Sequence, residues 1–547
     1  MSNQQPGSSQ PGAALEPELD AVIVGAGFAG LYMLHRARDV LGLDVRLFEA
    51  GAGLGGTWYW NSYPGARCDS ESFYYCYTFS PEIQQEWDWS SKYPAQPEIL
   101  RYLNFVADRL DLRRDIRFSS RVSRADFDES SNCWEVCTEN GERVTARYLI
   151  SAVGCLSAAN VPEIKGLEEF KGQWVHTGAW PREGVDFSGK RVGMIGTGST
   201  GIQAAPVIAA EADHLTVFQR TANFSVPARN APLSPEYWAE IKADYPAISR
   251  TVRESLAGFP YELTLRSAND VSDAERTDIY EELWKDGGFK FLWGSFFDIL
   301  IDEKANHTAA EFIRGKIRET VKNPEVAEML VPRGYPYGTK RPPIDTDYFE
   351  TFNRKNVKLI DIRNAPILEI TPTGLRTEAG EYELDIIVFA TGFDAMTGSL
   401  LRMNIRGVGG QTLADKWKEG PRTYLGLQVA GFPNLFTITG PGSPSVLVNM
   451  PTAIEQHVEW ISDCIVSMQE HGHRRIEARA EAEEQWVDHV NEVASATLYM
   501  KADSWYVGAN IPGKKRVFMP FVGGNVEYRR FCDECSQSGY AGFELRS

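Results

Sequence analysis

At 547 residues the chain exceeds what one hydrophobic core ordinarily organises, and its 43% hydrophobic, 12% aromatic and 24% charged content excludes disordered and collagen-like classes. With 74 acidic against 56 basic residues the formal charge is −18, which disfavours nucleic acid and anionic membranes as partners and requires any phosphate site to be built locally. There is no apolar run of about 20 residues to span a membrane and no basic-apolar leader, and the few cysteines suit a reducing, cytoplasmic setting.

Residues 1–18, rich in Gln, Pro, Gly and Ser, read as a disordered tail. The run AVIVGAGFAGLYMLHRARDVLGLDVRLFEA then predicts strand, glycine turn, helix and strand, with Leu31, Leu34, Ala37 and Leu41 at helical spacing. Gly25, Gly27 and Gly30 form a GxGxxG around Phe28 and Ala29, placed where a strand enters a helix. In that context the first glycine permits the turn, the second lets a diphosphate reach backbone N–H groups, and the third lets helix and strand pack closely. Glu49, ending the second strand, can accept from a ribose 2′-OH and disfavours a 2′-phosphate, so FAD or NAD is expected here.

After residue 190, RVGMIGTGSTGIQAAPVIAAEADHLTVFQR repeats the unit with Gly196, Gly198 and Gly201, and with Arg220 where Glu49 stood. A cation at that place suits a 2′-phosphate and hence NADPH, although an ordinary surface arginine would read the same way. Two fingerprints of opposite ribose chemistry assign FAD to the first unit and NADPH to the second, so that a hydride passes between them.

Residues 224–330 change to charged, Trp- and Tyr-bearing helical text and read as a helical insertion. VKLIDI and LDIIVFATG return the chain to sheet, and AIEQHVEWISDCIVSM predicts a helix packed back on the first unit. The fold class is therefore α/β, with two doubly wound Rossmann-like dinucleotide-binding domains and a helical insertion in the second. The expected boundaries are a FAD-binding domain at 19–155 and 395–547, a NADP-binding domain at 156–223 and 331–394, and the helical subdomain at 224–330. Cys532 and Cys535 form a CxxC without a second such pair or a nearby His pair, so two thiols on one helix are expected, and no metal site.

Two longer patterns carry a resemblance. FKGQWVHTGAWP fits FxGxxxHxxxWP at Phe170, Gly172, His176, Trp180 and Pro181, and GGTWYWNSYPGARCD supplies Gly56, Trp58, Tyr63, Pro64, Gly65 and Asp69. With both glycine fingerprints in order, the chain resembles the flavin-dependent Baeyer–Villiger monooxygenases, from about residue 20 to its end. QPEILRYLNFVAD, FATGFDAMTGSL and WYVGANIPGKKRVFMPF resemble the branch that oxidises phenylacetone and steroids.

The resemblance implies that NADPH reduces FAD, that reduced flavin takes up O2, and that a flavin C4a-peroxide attacks a ketone to give an ester or lactone, with sulfoxidation as a side activity. It further implies Arg341 as the catalytic arginine and Asp69 as the carboxylate that orients it. A permanently charged guanidinium suits the anionic oxidant and adduct. FAD contacts are implied for Gly56, Thr57, Trp58, Asp69, Tyr75, Val122 and Met450, beside Glu49 and the first glycine turn. NADP contacts are implied for Thr197, Gly198, Ser199, Thr200, Gly201 and Gln203 at the second turn, for Arg220, Thr221, Lys340 and Arg341, and for Trp505 on a mobile loop. The substrate pocket is expected at Ser443, Pro444, Ser445, Val446 and Leu447.

His176, Trp180 and Pro181 are read as conformational residues at a connector between the two units, not as acid–base catalysts. The partners expected are a small ketone and O2, with neither nucleic acid nor membrane, and a monomer is compatible with the sequence. A flavin enzyme that oxygenates amines or sulfides shares both fingerprints, and Asp69, Arg341 and the Trp180-Pro181 ending weigh against it. A thiol–disulfide oxidoreductase would need the CxxC at its flavin, and a dinucleotide-binding sensor would need no Arg341.

Overall fold

The computed structural model describes residues 17–547, so most of the expected N-terminal tail lies outside the described residues. The first strand, β1 (Leu19–Val24), is apolar and buried along nearly its whole length, as a strand covered on both faces must be. It pairs in parallel with β2 (Val45–Phe48) on one side and β6 (Arg143–Ser151) on the other. The sheet extends through β3 (Ile116–Arg117) beyond β2, and through antiparallel β5 (Cys133–Thr138) and β4 (Val122–Asp128) beyond β6. The helix Phe28–His35 crosses from β1 toward β2, with Leu31 and Leu34 fully buried, each contributing about 1.5–3 kcal/mol. Its expected continuation to Leu41 widens into a π-helical turn at Arg36–Val40.

The chain then builds a second sheet that is parallel throughout. Its strands are β7 (Gln173–His176), β8 (Arg191–Ile195), β9 (His214–Gln219), β12 (Val357–Asp361) and β16 (Ile386–Phe389), in the order β12-β9-β8-β16-β7. Between β9 and β12 a short parallel pair, β10 (Val226–Pro227) and β11 (Ile344–Asp345), closes the base of the helical insertion. That insertion contains the helices Pro235–Glu254, Asp273–Asp286, Glu303–Thr320 and Pro324–Leu330. A three-stranded antiparallel meander, β13 (Ile367–Thr371), β14 (Gly374–Thr377) and β15 (Gly380–Glu383), precedes β16.

The remaining chain returns to the first sheet through β17 (Ile405–Arg406) beside β4 and β18 (Leu435–Thr437) beside β6. The helix Met450–Glu470 packs on the first helix as expected, through Tyr32 to Glu459 and Arg36 to Ser462 hydrogen bonds. No helix among the described residues is long and apolar enough to cross a membrane.

FKGQWVHTGAWP is more than a connector, because Gln173–His176 is the edge strand of the second sheet, paired in parallel with β16. Phe170 anchors it in the apolar layer with Ile195, Phe218 and Phe389. Gly172 lets the strand approach its neighbour, since a Cβ there would collide with the carbonyl of Asp385.

Candidate active site

Each glycine turn delivers an uncapped helix N-terminus. Gly25 has φ +103°, a conformation that β-carbon-bearing residues rarely adopt, and a Cβ there would meet the carbonyl oxygen of Ala152 at 2.6 Å. Gly27 caps the helix Phe28–His35 with no side chain, leaving its first N–H groups for an anion. Gly56 closes over it so tightly that a Cβ on Gly56 would lie 2.9 Å from the Cα of Gly27. Glu49 is anchored to this turn: one carboxylate oxygen accepts from the N–H of Ala26 at 2.7 Å and the other from Gly51 at 2.6 Å. Burial pushes its carboxyl upward from the ordinary value, with those N–H bonds opposing. Beside the turn, Trp58 donates its ring N–H to the Tyr75 hydroxyl at 3.2 Å, and Tyr75 meets Phe28 edge-on at 5.3 Å. These residues fit a flavin dinucleotide: a diphosphate cradle, a carboxylate held beside it just past the end of β2, and a buried aromatic wall. Val122 sits apart from that wall, in the apolar layer with Val24 and Phe48.

The second turn repeats the arrangement. Gly198 caps the helix Ser199–Glu211 without a side-chain bond, and Thr197 donates its hydroxyl to the carbonyl of Thr221 at 2.8 Å. Cations gather at the end of β9. Lys340 lies over the Tyr335 ring at 4.5 Å, and its ammonium is held below the ordinary lysine value by burial, with Arg220 and Arg363 adding to the effect. Arg363, which the sequence reading missed, donates to the carbonyl of Arg220 at 3.1 Å and the hydroxyl of Thr221 at 2.8 Å. The signal was available, since VKLIDI is a strand like the one ending in Arg220 and Arg363 follows it directly. Three cations in an acidic chain fit a 2′-phosphate.

GGTWYWNSYPGARCD reaches from the first unit to the second. Gln203, on the helix Ser199–Glu211, accepts from the Tyr63 hydroxyl at 2.8 Å and donates to the carbonyl of Arg67 at 3.1 Å and to Asp69 at 3.3 Å. Its amide, expected at the cofactor diphosphate, therefore serves as a clip between the units. Asp69 is buried, which pushes its carboxyl up to about 6 against the opposing charge of Arg341.

Arg341 occupies the centre. Its Nε lies 3.8 Å from Asp69 and its Nη1 donates to the carbonyl of Val446 at 2.9 Å. Phe289, from the helical insertion, lies beneath the guanidinium at 4.8 Å, and the buried Tyr506 hydroxyl lies within reach of its charge. Neither aromatic was signalled in the sequence, because both contacts come from distant segments. Val446 belongs to the Ser445–Leu447 turn, where Ser445 has φ +44°, a strain of roughly 1–3 kcal/mol. Trp505 meets Tyr506 in a tilted ring contact at 4.3 Å, in the same apolar cluster as Leu447 and Met450. Ser443 is fully buried, its hydroxyl donating to the carbonyl of Gly440 at 2.7 Å.

His176 is 3% exposed and accepts from the N–H of Gly178 at 3.0 Å, while its other nitrogen faces the backbone of Asn160 and Gly392. Burial pushes the imidazole down to about 4. Asn160 and Gly392 lie on the two linkers between the sheets, which bond to each other at 3.0 Å. Trp180 is buried beside Phe187, and its N–H reaches the carbonyl of Trp60. From that linker Phe393 accepts from the Asn510 amide at 2.7 Å and Asp394 pairs with Lys514, both partners lying on the segment that carries Trp505.

Cys532 and Cys535 are buried thiols on the helix Asn525–Gln537, both pushed up to about 12 by burial. Such thiols carry almost no thiolate near neutrality.

Residues 19–244 match the pyridine nucleotide-disulphide oxidoreductase family. A curated protein from Pseudooceanicola batsensis, described as a Baeyer–Villiger monooxygenase, is 48% identical over 96% of this chain and 95% of its own. A solved steroid monooxygenase, oxidised and bound to NADP, superimposes with a TM-score of 0.92 at 53% identity, covering 96% of this chain and 99% of that one. OTEMO in complex with FAD and NADP superimposes with a TM-score of 0.94 at 44% identity, covering 97% and 100%.

Proposed function

The chain belongs to the Baeyer–Villiger monooxygenases, and from that premise we propose that Arg341 and Asp69 form the charged centre at which a ketone is converted. The protein is an NADPH-dependent flavoprotein monooxygenase that inserts one oxygen atom beside a ketone carbonyl, giving an ester or lactone. When bound, FAD accepts electrons from NADPH and activates O2.

The observation that carries the site assignment is the suspension of Arg341 between the Asp69 carboxylate and the carbonyl of Val446. A guanidinium keeps its proton at working pH, so its role is a fixed positive charge aimed at the developing oxyanion. Asp69 sets its orientation from behind, and Phe289 and Tyr506 exclude water around it. The ketone binds against Ser443–Leu447, with Trp505 and Tyr506 closing the opposite side. Gly25–Gly30, Glu49, Trp58 and Tyr75 hold FAD, and Thr197–Gly201 with Arg220, Lys340 and Arg363 hold NADPH. The corresponding domains are 19–155 with 395–547 for FAD and 156–223 with 331–394 for NADP. The buried thiols of Cys532 and Cys535 suit a cytoplasmic location.

Arg341→Ala separates the two half-reactions. NADPH still reduces the flavin, whereas ester formation falls by about 10²–10³-fold, the cost of removing one preorganised charge-stabilising group. Retained ester yield in that variant removes Arg341 from this role.

A further inference from the structure

The catalytic arginine and two of the three phosphate cations, Arg220 and Lys340, stand on two segments that run side by side, 220–228 and 335–345. Tyr335 joins them at one end, donating to the carbonyl of Ala222 at 2.9 Å and accepting from the N–H of Phe224 at 3.3 Å. The β10–β11 pair joins them at the other, with Val226 opposite Ile344 and the N–H of Ala228 on the carbonyl of Asp345 at 2.8 Å. Arg220 and Thr221 precede this ladder on one segment, and Lys340 and Arg341 precede it on the other. Arg341 lies on the short segment that leads into β11, so the β10–β11 pairing bears on the Asp69–Arg341 pair through the arginine.

Asp345 is the buried acid at the end of β11. It is 8% exposed and pairs with no cation among the described residues. Its two oxygens are used separately: one accepts from the hydroxyl of Ser225, the other from the N–H of Tyr348 at 3.4 Å. A buried carboxylate without a cation is unfavourable for stability, and an asparagine would offer a single acceptor where this site uses two.

We propose that Asp345 and Ser225 are positioning residues that fix the distance between the 2′-phosphate cations and the Asp69–Arg341 pair. This rests on the activity assigned above. It predicts a double effect, because loosening the ladder displaces both ends, whereas loss of Arg341 spares flavin reduction.

The test uses the FAD-loaded protein as Asp345→Asn, Ser225→Ala and Ser225→Thr, with NADP+ affinity read by titration calorimetry and ester yield per NADPH by chromatography. Ser225→Ala and Asp345→Asn are expected to raise the Kd for NADP+ about tenfold and to lower the ester yield together, since displacements of about 1 Å cost up to 10²-fold. Ser225→Thr, which keeps the hydroxyl, restores both. Unchanged Kd and unchanged yield in Ser225→Ala overturn the proposal, as does a Ser225→Thr variant as impaired as Ser225→Ala. If Asp345→Asn does not fold, the Ser225 pair decides alone. A wild-type protein that makes no ester contradicts the assigned activity, and the calorimetric arm still tests the ladder.

Discussion

Gln203 donates its side-chain amide to Asp69 across 3.3 Å, so the helix of the second dinucleotide turn touches the carboxylate that faces Arg341. The two halves of the molecule thus meet at the carboxylate beside Arg341.

Asp69 gives the reaction an acid limb. Burial raises its carboxyl from 3.8 to about 6, so its folded form holds a proton more tightly than its unfolded form. The stabilisation from that proton is complete below about pH 4 and is lost as pH rises through about 6. Orientation of Arg341 requires the ionised form, so ester formation should fall below about pH 6 while flavin reduction by NADPH declines less. Rate profiles for both half-reactions check this, and Asp69→Asn should show low ester formation without that limb.

Arg363 should matter for cofactor choice. It braces Arg220 and Thr221 and adds positive charge beside Lys340. Arg363→Ala is expected to weaken NADPH binding by about 1–2 kcal/mol, roughly five- to thirtyfold in KM, with the KM for NADH little changed. Steady-state kinetics with both cofactors measure the difference, and equal losses would argue for general damage to the turn.

The Trp505 segment is tied to the interdomain linker by Lys514 to Asp394 and Asn510 to Phe393. Lys514→Met should release the segment and increase uncoupled hydrogen peroxide release by about three- to tenfold, with flavin reduction intact. Peroxide assays per NADPH consumed report it directly.

Much of this was legible because it depends on local chemistry. Gly25 to Gly30 and Gly196 to Gly201 announce their turns in a strand-to-helix context, and the opposite charges of Glu49 and Arg220 distinguish two cofactors. Arg341 was reached only through a family resemblance, since one arginine among loops carries no spacing signal. Phe289, Tyr506 and the ladder of Ser225 and Asp345 were invisible, because each acts on a partner distant in sequence. The strand within FKGQWVHTGAWP was missed for a different reason: four residues at a sheet edge show too short an alternation to mark a strand.

The central claim is that this chain places one atom of O2 beside a ketone carbonyl. Incubating the FAD-loaded protein with NADPH, a panel of aromatic, cyclic and steroidal ketones and isotopically labelled O2, followed by mass spectrometry, tests it most directly. An ester or lactone carrying one labelled oxygen, dependent on Arg341, is the expected product. NADPH consumption that yields only hydrogen peroxide across the panel, with every ketone recovered unchanged, would contradict it.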